Sequence, residues 1–171
     1  IHVICEKPVT TSLAEVGELA ALARGSRARF LSTNCYSGYP MVRAARDLIR
    51  QGVLGEVRIV DVAFHSGFYG TGEAVGDWRL SPDELGGLSM LADLGAHVFH
   101  MAEFVSGRPI TEVAGALQTL APQHRVPDNA YVSTRHGDGT AGRVWLTYQA
   151  TGSVHGLKFS IYGDRASVSW D

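Results

Sequence analysis

From Ile110 to Asp171 the sequence is a succession of short runs in which apolar and polar residues alternate: ITEVAGALQTL, AYVSTRH, GRVWLTYQA, HGLKFSIYG and ASVSWD. A period of two sends successive side chains to opposite faces, so each run can turn only one apolar face toward a core. AYVSTRH and GRVWLTYQA are linked by GDGTAG, and the later runs by TGS and GDR, links short enough for hairpins. This half of the chain is expected to be a meander-like, mostly antiparallel sheet. EVRIVDVAFHS, earlier in the chain, alternates in the same way and reads as one more half-buried strand.

The front of the chain has a different period. IHVIC is a short β-rich run, Thr10, Thr11 and Ser12 offer helix N-caps, and Leu13, Val16, Leu19, Ala20 and Ala23 recur at helical spacing until Gly25. RFLSTNCY follows as a second strand. A strand, a helix of about a dozen residues and a strand form a βαβ unit, whose strands run parallel in an α/β layer. Pro8 and Pro40 lie just beyond the strands' carboxyl ends, the edge at which open parallel sheets gather ligands. A second helix is expected from Pro40 to Gln51, with Val42, Ala45, Leu48 and Ile49 buried and Gly52 as its stop. The chain opens and closes inside strand-like runs, so these residues are expected to be part of a longer polypeptide.

Composition narrows the possible functions. With 45% hydrophobic and 19% charged residues, the 171-residue chain can bury an ordinary core. Its net charge of −2 and scattered 15 basic residues argue against a nucleic-acid surface. Cys5 and Cys35 lie in apolar runs, which favours a reducing, cytoplasmic setting over a disulfide scaffold. No apolar run reaches the ~18 to 20 residues that span a bilayer, so no membrane partner is expected.

Two regions carry candidate chemistry. Residues 66–76, with Gly67, Gly70, Gly72 and Gly76, form a long irregular connection of the kind that is often functional. Beyond them LADLGAHVFH, residues 91–100, spaces Asp93, His97 and His100 by four and three. At 100° per residue Leu91, Leu94, Val98, Met101 and Val105 share one apolar stripe, while the three polar groups fall within roughly 60° of one another beside it. Spacing alone leaves three readings open. Asp93 and His97 can serve acid/base chemistry, the three groups can ligate a metal, or they are a solvated helix edge.

Companion motifs favour the first reading. CEKP at 5–8, NCYSGYP at 34–40, DWR at 77–79, GGLSMLADLGAHVFHMAEFVSG at 86–107 and YGDRASVSW at 162–170 occur in one order along the chain. Together they resemble the glucose-fructose oxidoreductase and inositol dehydrogenase family (Gfo/Idh/MocA), NAD(P)-dependent oxidoreductases of sugars and polyols. The resemblance implies an α/β protein. Residues 1–40 would be the C-terminal part of a dinucleotide-binding Rossmann domain, and 41–171 an α+β domain for substrate binding and oligomerisation, incomplete at its C-terminus. It also implies a homo-oligomer, dimer or tetramer, paired through the open sheet face.

The same resemblance implies roles for particular residues. Lys7, Asp93 and His97 are the expected catalytic set: Lys7 beside the nicotinamide and the reacting carbon, His97 as the acceptor of the hydroxyl proton, Asp93 orienting the substrate or the imidazole. Glu6, Lys7, Pro8, Asn34, Trp78 and Arg79 are expected on the cofactor side, with Pro8 fixing the turn that aims Lys7. Tyr36 and His100 stand where the family usually has Arg and Asp, and both are expected at the substrate. NAD or NADP is the implied cofactor, with no metal. No G-x-G-x-x-G precedes the first strand, so most of the dinucleotide site is expected outside these residues. Two rival classes remain: a non-catalytic sugar-binding or assembly relative, and a metal-dependent hydrolase or isomerase using Asp93, His97 and His100.

Overall fold

The computed structural model describes residues 1–70, 77–83 and 88–171. At the front, β1 (Val3–Cys5), α1 (Leu13–Gly25) and β2 (Phe30–Ser32) form the expected βαβ unit. Its two strands are parallel, pairing Val3 with Phe30 and Cys5 with Ser32. Ser12 caps α1 by accepting from the Glu15 N–H, and Glu15 Oε2 accepts from the Thr11 N–H just before the cap, so the side chains at the two ends of the first turn hold it reciprocally. None of the α1 residues is buried, and Leu13, Val16 and Leu22 face solvent.

A single 3₁₀ turn, Cys35–Gly38, leads into α2 (Pro40–Arg50), which starts on proline at its first turn. Val42, Ala45 and Ile49 are buried, as the periodicity predicts. Leu48 is 40% exposed and does not belong to the buried stripe. It lies one residue round from Ile49, on the side of the helix that turns out of the core.

The main sheet has six strands: β3 (Val57–His65), β4 (Ile110–Gln118), β5 (Asn129–His136), β6 (Ala141–Thr147), β7 (Gly156–Gly163) and β8 (Ser167–Trp170), in the order β4-β5-β6-β3-β7-β8. The expected strands are all present, but they do not form a simple meander. Strand β3 inserts between β6 and β7, parallel to β6 and antiparallel to β7, so residues 148–155 cross the strand end instead of closing a hairpin. The reason is burial. Val60, Val62 and Phe64 make β3 one of the most apolar strands, and only a central slot covers them on both edges. For the same reason β3 is more deeply buried than its alternation alone predicts.

One face of this sheet is covered by α2 and by α3 (Ala96–Ser106). Leu94, Val98, Met101 and Val105 pack there against Val60, Phe64, Leu146, Phe159 and Ile161. Each fully buried aliphatic side chain of this kind stabilises by roughly 1.5–3 kcal/mol relative to exposure. Among the described residues nothing covers the opposite face: Ile59, Val113, Leu117, Tyr131 and Tyr162 remain exposed on it or along its edge. Among the described residues no helix is long and apolar enough to cross a membrane.

Candidate active site

Lys7 follows the carboxyl end of β1 and precedes a cis Lys7–Pro8 peptide. Its ammonium donates to Asp93 Oδ1 at 2.6 Å and to the Asp93 backbone carbonyl at 2.8 Å. Asp93 sits in a π-helical turn, Leu91–Gly95, that runs directly into α3. Such turns widen the helix by one residue and recur at functional sites.

The other Asp93 oxygen is also taken. Tyr148, just after β6, donates its hydroxyl to Oδ2 at 2.9 Å, and Arg79 Nε stands 3.3 Å from the same atom. Arg79 lies in a 3₁₀ turn, Trp78–Leu80, capped by Asp77, whose Oδ1 accepts the Arg79 N–H at 2.8 Å. The guanidinium stacks on Trp78 at 4.3 Å, and Asp77 Oδ2 accepts the Tyr69 hydroxyl at 3.1 Å. Ser89, at φ 29°, bonds the Arg79 carbonyl through its hydroxyl and so ties this turn to the start of the helix. A non-glycine residue at positive φ is uncommon and persists only where its surroundings hold it.

This network decides the charge states. Burial pushes the Asp93 carboxyl up, but the Lys7 hydrogen bond and charge, then Tyr148 and Arg79, outweigh it and hold Asp93 ionised below the usual carboxylate range. Burial, with Asp93 beside it, pushes the Tyr148 phenol far up, so it stays a donor. His97 is 8% exposed, and burial together with the Lys7 charge lowers it to about 4, against the opposing pull of Asp93. At neutral pH this imidazole is uncharged. Among the described residues no group hydrogen-bonds its ring; Tyr36 packs edge-on at 5.0 Å, and Phe64 lies tilted to it at 6.2 Å.

The helix does not present Asp93, His97 and His100 as one group. Asp93 joins Lys7, Tyr148 and Arg79, His97 meets Tyr36, and His100 stacks on Phe104 at 5.6 Å beside Arg46. The apolar stripe that the projection at 100° per residue predicts is kept, but each polar group finds its partners in a different neighbouring segment. His100, expected at the substrate, is not among the residues that line the cleft beside Asp93. Among the described residues no three His, Cys, Asp or Glu side chains are grouped to hold a metal.

The remaining candidates lie around this centre. Glu6 is exposed and close enough to His97 to act on its charge. Asn34 opens the 3₁₀ turn after β2, and its carbonyl accepts the Ser37 hydroxyl at 2.8 Å. Trp78 is 48% exposed. Gly72, Gly76, Gly86 and Gly87 lie outside the described residues.

Tyr69, Asp77, Tyr148 and His155 were not singled out by sequence reasoning. Phe68, Tyr69, Asp77, Arg79, Asp93 and His155 line one cleft of about 600 Å³. Only Asp77 carries a local signal, a carboxylate two residues before the N–H it caps. Gly67 and Gly70 bring the other wall in: a Cβ on Gly67 would stand 2.7 Å from the Ala150 carbonyl, and one on Gly70 2.4 Å from the Thr151 hydroxyl. That close approach seats residues 150–155, and with them His155, against the loop after β3.

Fold and site define an α+β domain with a polar, charge-paired cleft at the end of its sheet, next to the edge of a parallel βαβ unit. A profile of the GFO/IDH/MocA C-terminal domain matches residues 42–169, and the chain belongs to this family. It is 33% identical to the uncharacterized oxidoreductase YfiI of Bacillus subtilis, with 99% of this chain and 45% of that protein covered. An inositol dehydrogenase homolog from Azotobacter vinelandii, solved with NAD+, superposes with a TM-score of 0.90 at 32% identity over 99% of this chain and 45% of that one. The same homolog, solved with NADH and myo-inositol, gives a TM-score of 0.87 at 31% identity over 99% and 44% of the two chains. The chain thus spans about half the length of the relatives it matches.

Proposed function

We propose that the polypeptide containing this chain is an NAD(P)-dependent oxidoreductase acting on a hydroxyl or keto carbon of a sugar, polyol or related small molecule. The observation that carries the reading is the Lys7–Asp93 pair beside the neutral His97. Support for a nicotinamide cofactor comes from the family, from the NAD+ and NADH held by the solved relatives, and from the place of Lys7. The ammonium leaves the carboxyl end of β1, next to the end of β2, where a parallel sheet offers its ligand edge. The donor set there fits the nicotinamide end of such a cofactor, with Lys7, Pro8 and Asn34 around it. Residues 1–40 then belong to a nucleotide-binding domain and 41–171 to the substrate domain.

The bound cofactor supplies a hydride acceptor. The chain's own residues handle the oxygen. Asp93, locked as an anion, holds the Lys7 ammonium at the cleft, and Lys7 binds the substrate oxygen and stabilises the negative charge that grows on it as the C–H bond breaks. His97, uncharged at neutral pH, takes the hydroxyl proton; in the reverse direction it returns it. Arg79 and Tyr148 keep Asp93 from turning toward the imidazole.

The test is nicotinamide reduction, followed by absorbance, by the full-length polypeptide with NAD+ or NADP+ and a panel of sugars and polyols. Turnover lost in Lys7→Met and in His97→Gln, with the fold retained, supports the reading; turnover unaffected by both sinks it. The same polypeptide is proposed to pair through the open sheet face, and light scattering that finds only monomer at micromolar concentration counts against that pairing.

A further inference from the structure

The charges that line the cleft, Asp77, Arg79 and Asp93, and Lys7 behind Asp93, are already spent on one another. Lys7 is paired with Asp93 at 2.6 Å, and Arg79 lies 3.3 Å from Asp93 and 3.6 Å from Asp77. Two cations and two carboxylates cancel among the described residues. An anionic guest would have to draw a cation away from a partly buried carboxylate, and leaving that carboxylate unpaired is costly.

Across this cleft stands His155, whose ring packs edge-on against Phe64 at 4.8 Å. Its Nδ1 is 3.0 Å from the hydroxyl of Ser66, a residue with no exposed surface that also accepts the Phe68 N–H at 3.3 Å. With Nδ1 occupied, Nε2 is the nitrogen left for a guest, and among the described residues no group bonds it. Burial first, then Lys7 and Arg79 against the pull of Asp93, lower the basicity of this ring, so it is uncharged at neutral pH. A neutral imidazole nitrogen is a donor in one tautomer and an acceptor in the other. A hydroxyl satisfies either.

We propose that His155 is a specificity-determining residue of this cleft: it binds one hydroxyl of an uncharged polyhydroxy substrate, and sugar phosphates and sugar acids are disfavoured. The proposal rests on the dehydrogenase reading and narrows its substrate class. The exposed Phe68 on the rim suits such a guest, since its ring can cover an apolar C–H face.

The experiment uses the full-length polypeptide with its nicotinamide cofactor. Glucose and myo-inositol are compared with glucose 6-phosphate, glucuronate and inositol 1-phosphate. The expected kcat/KM for a neutral compound exceeds that for its charged counterpart by ~100-fold or more. His155→Ala is expected to raise KM by ~10-fold with kcat changed far less, and His155→Gln, which can still donate or accept, to recover most of that loss. His155→Phe preserves the packing on Phe64 and removes the nitrogen, so its KM decides the matter if the alanine variant loosens the fold. Charged compounds turned over as well as neutral ones, or an unchanged KM in a folded His155→Phe, would overturn the proposal while leaving the dehydrogenase reading intact. Absence of nucleotide reduction with every compound would overturn that reading and this proposal with it.

Discussion

Lys7 Nζ and Asp93 Oδ1 are 2.6 Å apart although 86 positions separate them in the chain. Both side chains are less than one-fifth exposed, so neither charge is well compensated by water. Lys7→Met leaves Asp93 with Tyr148 and Arg79 alone, and is expected to cost about 1–3 kcal/mol of stability. Asp93→Asn removes the charge that the ammonium faces and is expected to cost a similar amount. The double variant should cost less than the sum of the two, because the uncompensated charge is gone. Denaturant unfolding of the four proteins checks this, and additive losses would contradict the pairing.

Tyr148 acts through Asp93. Tyr148→Phe keeps the ring contact with Tyr69 at 4.5 Å and removes the hydroxyl donor at 2.9 Å. One lost hydrogen bond to a charged group is worth about 1.5–3 kcal/mol. On the proposed dehydrogenase reading, the expected result in the full-length polypeptide is a fall in kcat of ~10-fold or more, with KM changed less.

His97 imposes a pH dependence of stability. Its folded value of about 4 lies below the ordinary value of 6.5, so the folded protein binds fewer protons than the unfolded chain between those two points. Its contribution is complete above pH 6.5, declines as pH falls toward 4 and is exhausted below, at most ~3 kcal/mol in all. Asp93 works below that window: its folded value is depressed, so its contribution is present above the unfolded carboxylate range and is lost as pH falls through the folded value. Urea titrations from pH 7 to 4 should therefore show a slope that His97→Gln flattens. An unchanged slope in that variant would show that the imbalance lies elsewhere.

The two glycines after β3 make a third structural test. Gly67→Ala sets a Cβ 2.7 Å from the Ala150 carbonyl, which must shift. Overpacking of this kind costs about 1–3 kcal/mol. Because residues 150–155 carry His155, a rise in KM should accompany the loss of stability; a stability loss with KM unchanged would separate the loop from the cleft.

Leu94 and Leu48 test the packing of the helices. Leu94 is 1% exposed and Leu48 40%. Leu94→Ala is expected to destabilise by about 2–5 kcal/mol and Leu48→Ala by well under half of that. Equal losses in denaturant unfolding would restore Leu48 to the buried stripe.

Periodicity, capping and turn chemistry are local properties, and they were legible. The parallel βαβ front, α2 from Pro40, the Ser12 cap and the strands from Ile110 onward all follow from residues close together in the chain. Lys7, Asp93 and His97 are candidates only because separate motifs occur in a recognisable order, and the fold brings the first two into contact. What remained hidden depends on contacts between distant segments. The slot of β3 between β6 and β7 is set by which strand gains most from being covered on both edges. Asp93 turns to Lys7, His97 to Tyr36 and His100 to Phe104, and helical spacing alone does not show these partners. Tyr148 and His155 stand in a strand end and a turn that carry no chemical signature, and they meet the site only because β6 and β7 flank β3. The sequence by itself determined the elements and the residue types able to move a proton. Only the tertiary structure decided which of them face one another, because charge pairing and desolvation depend on distances in space rather than along the chain.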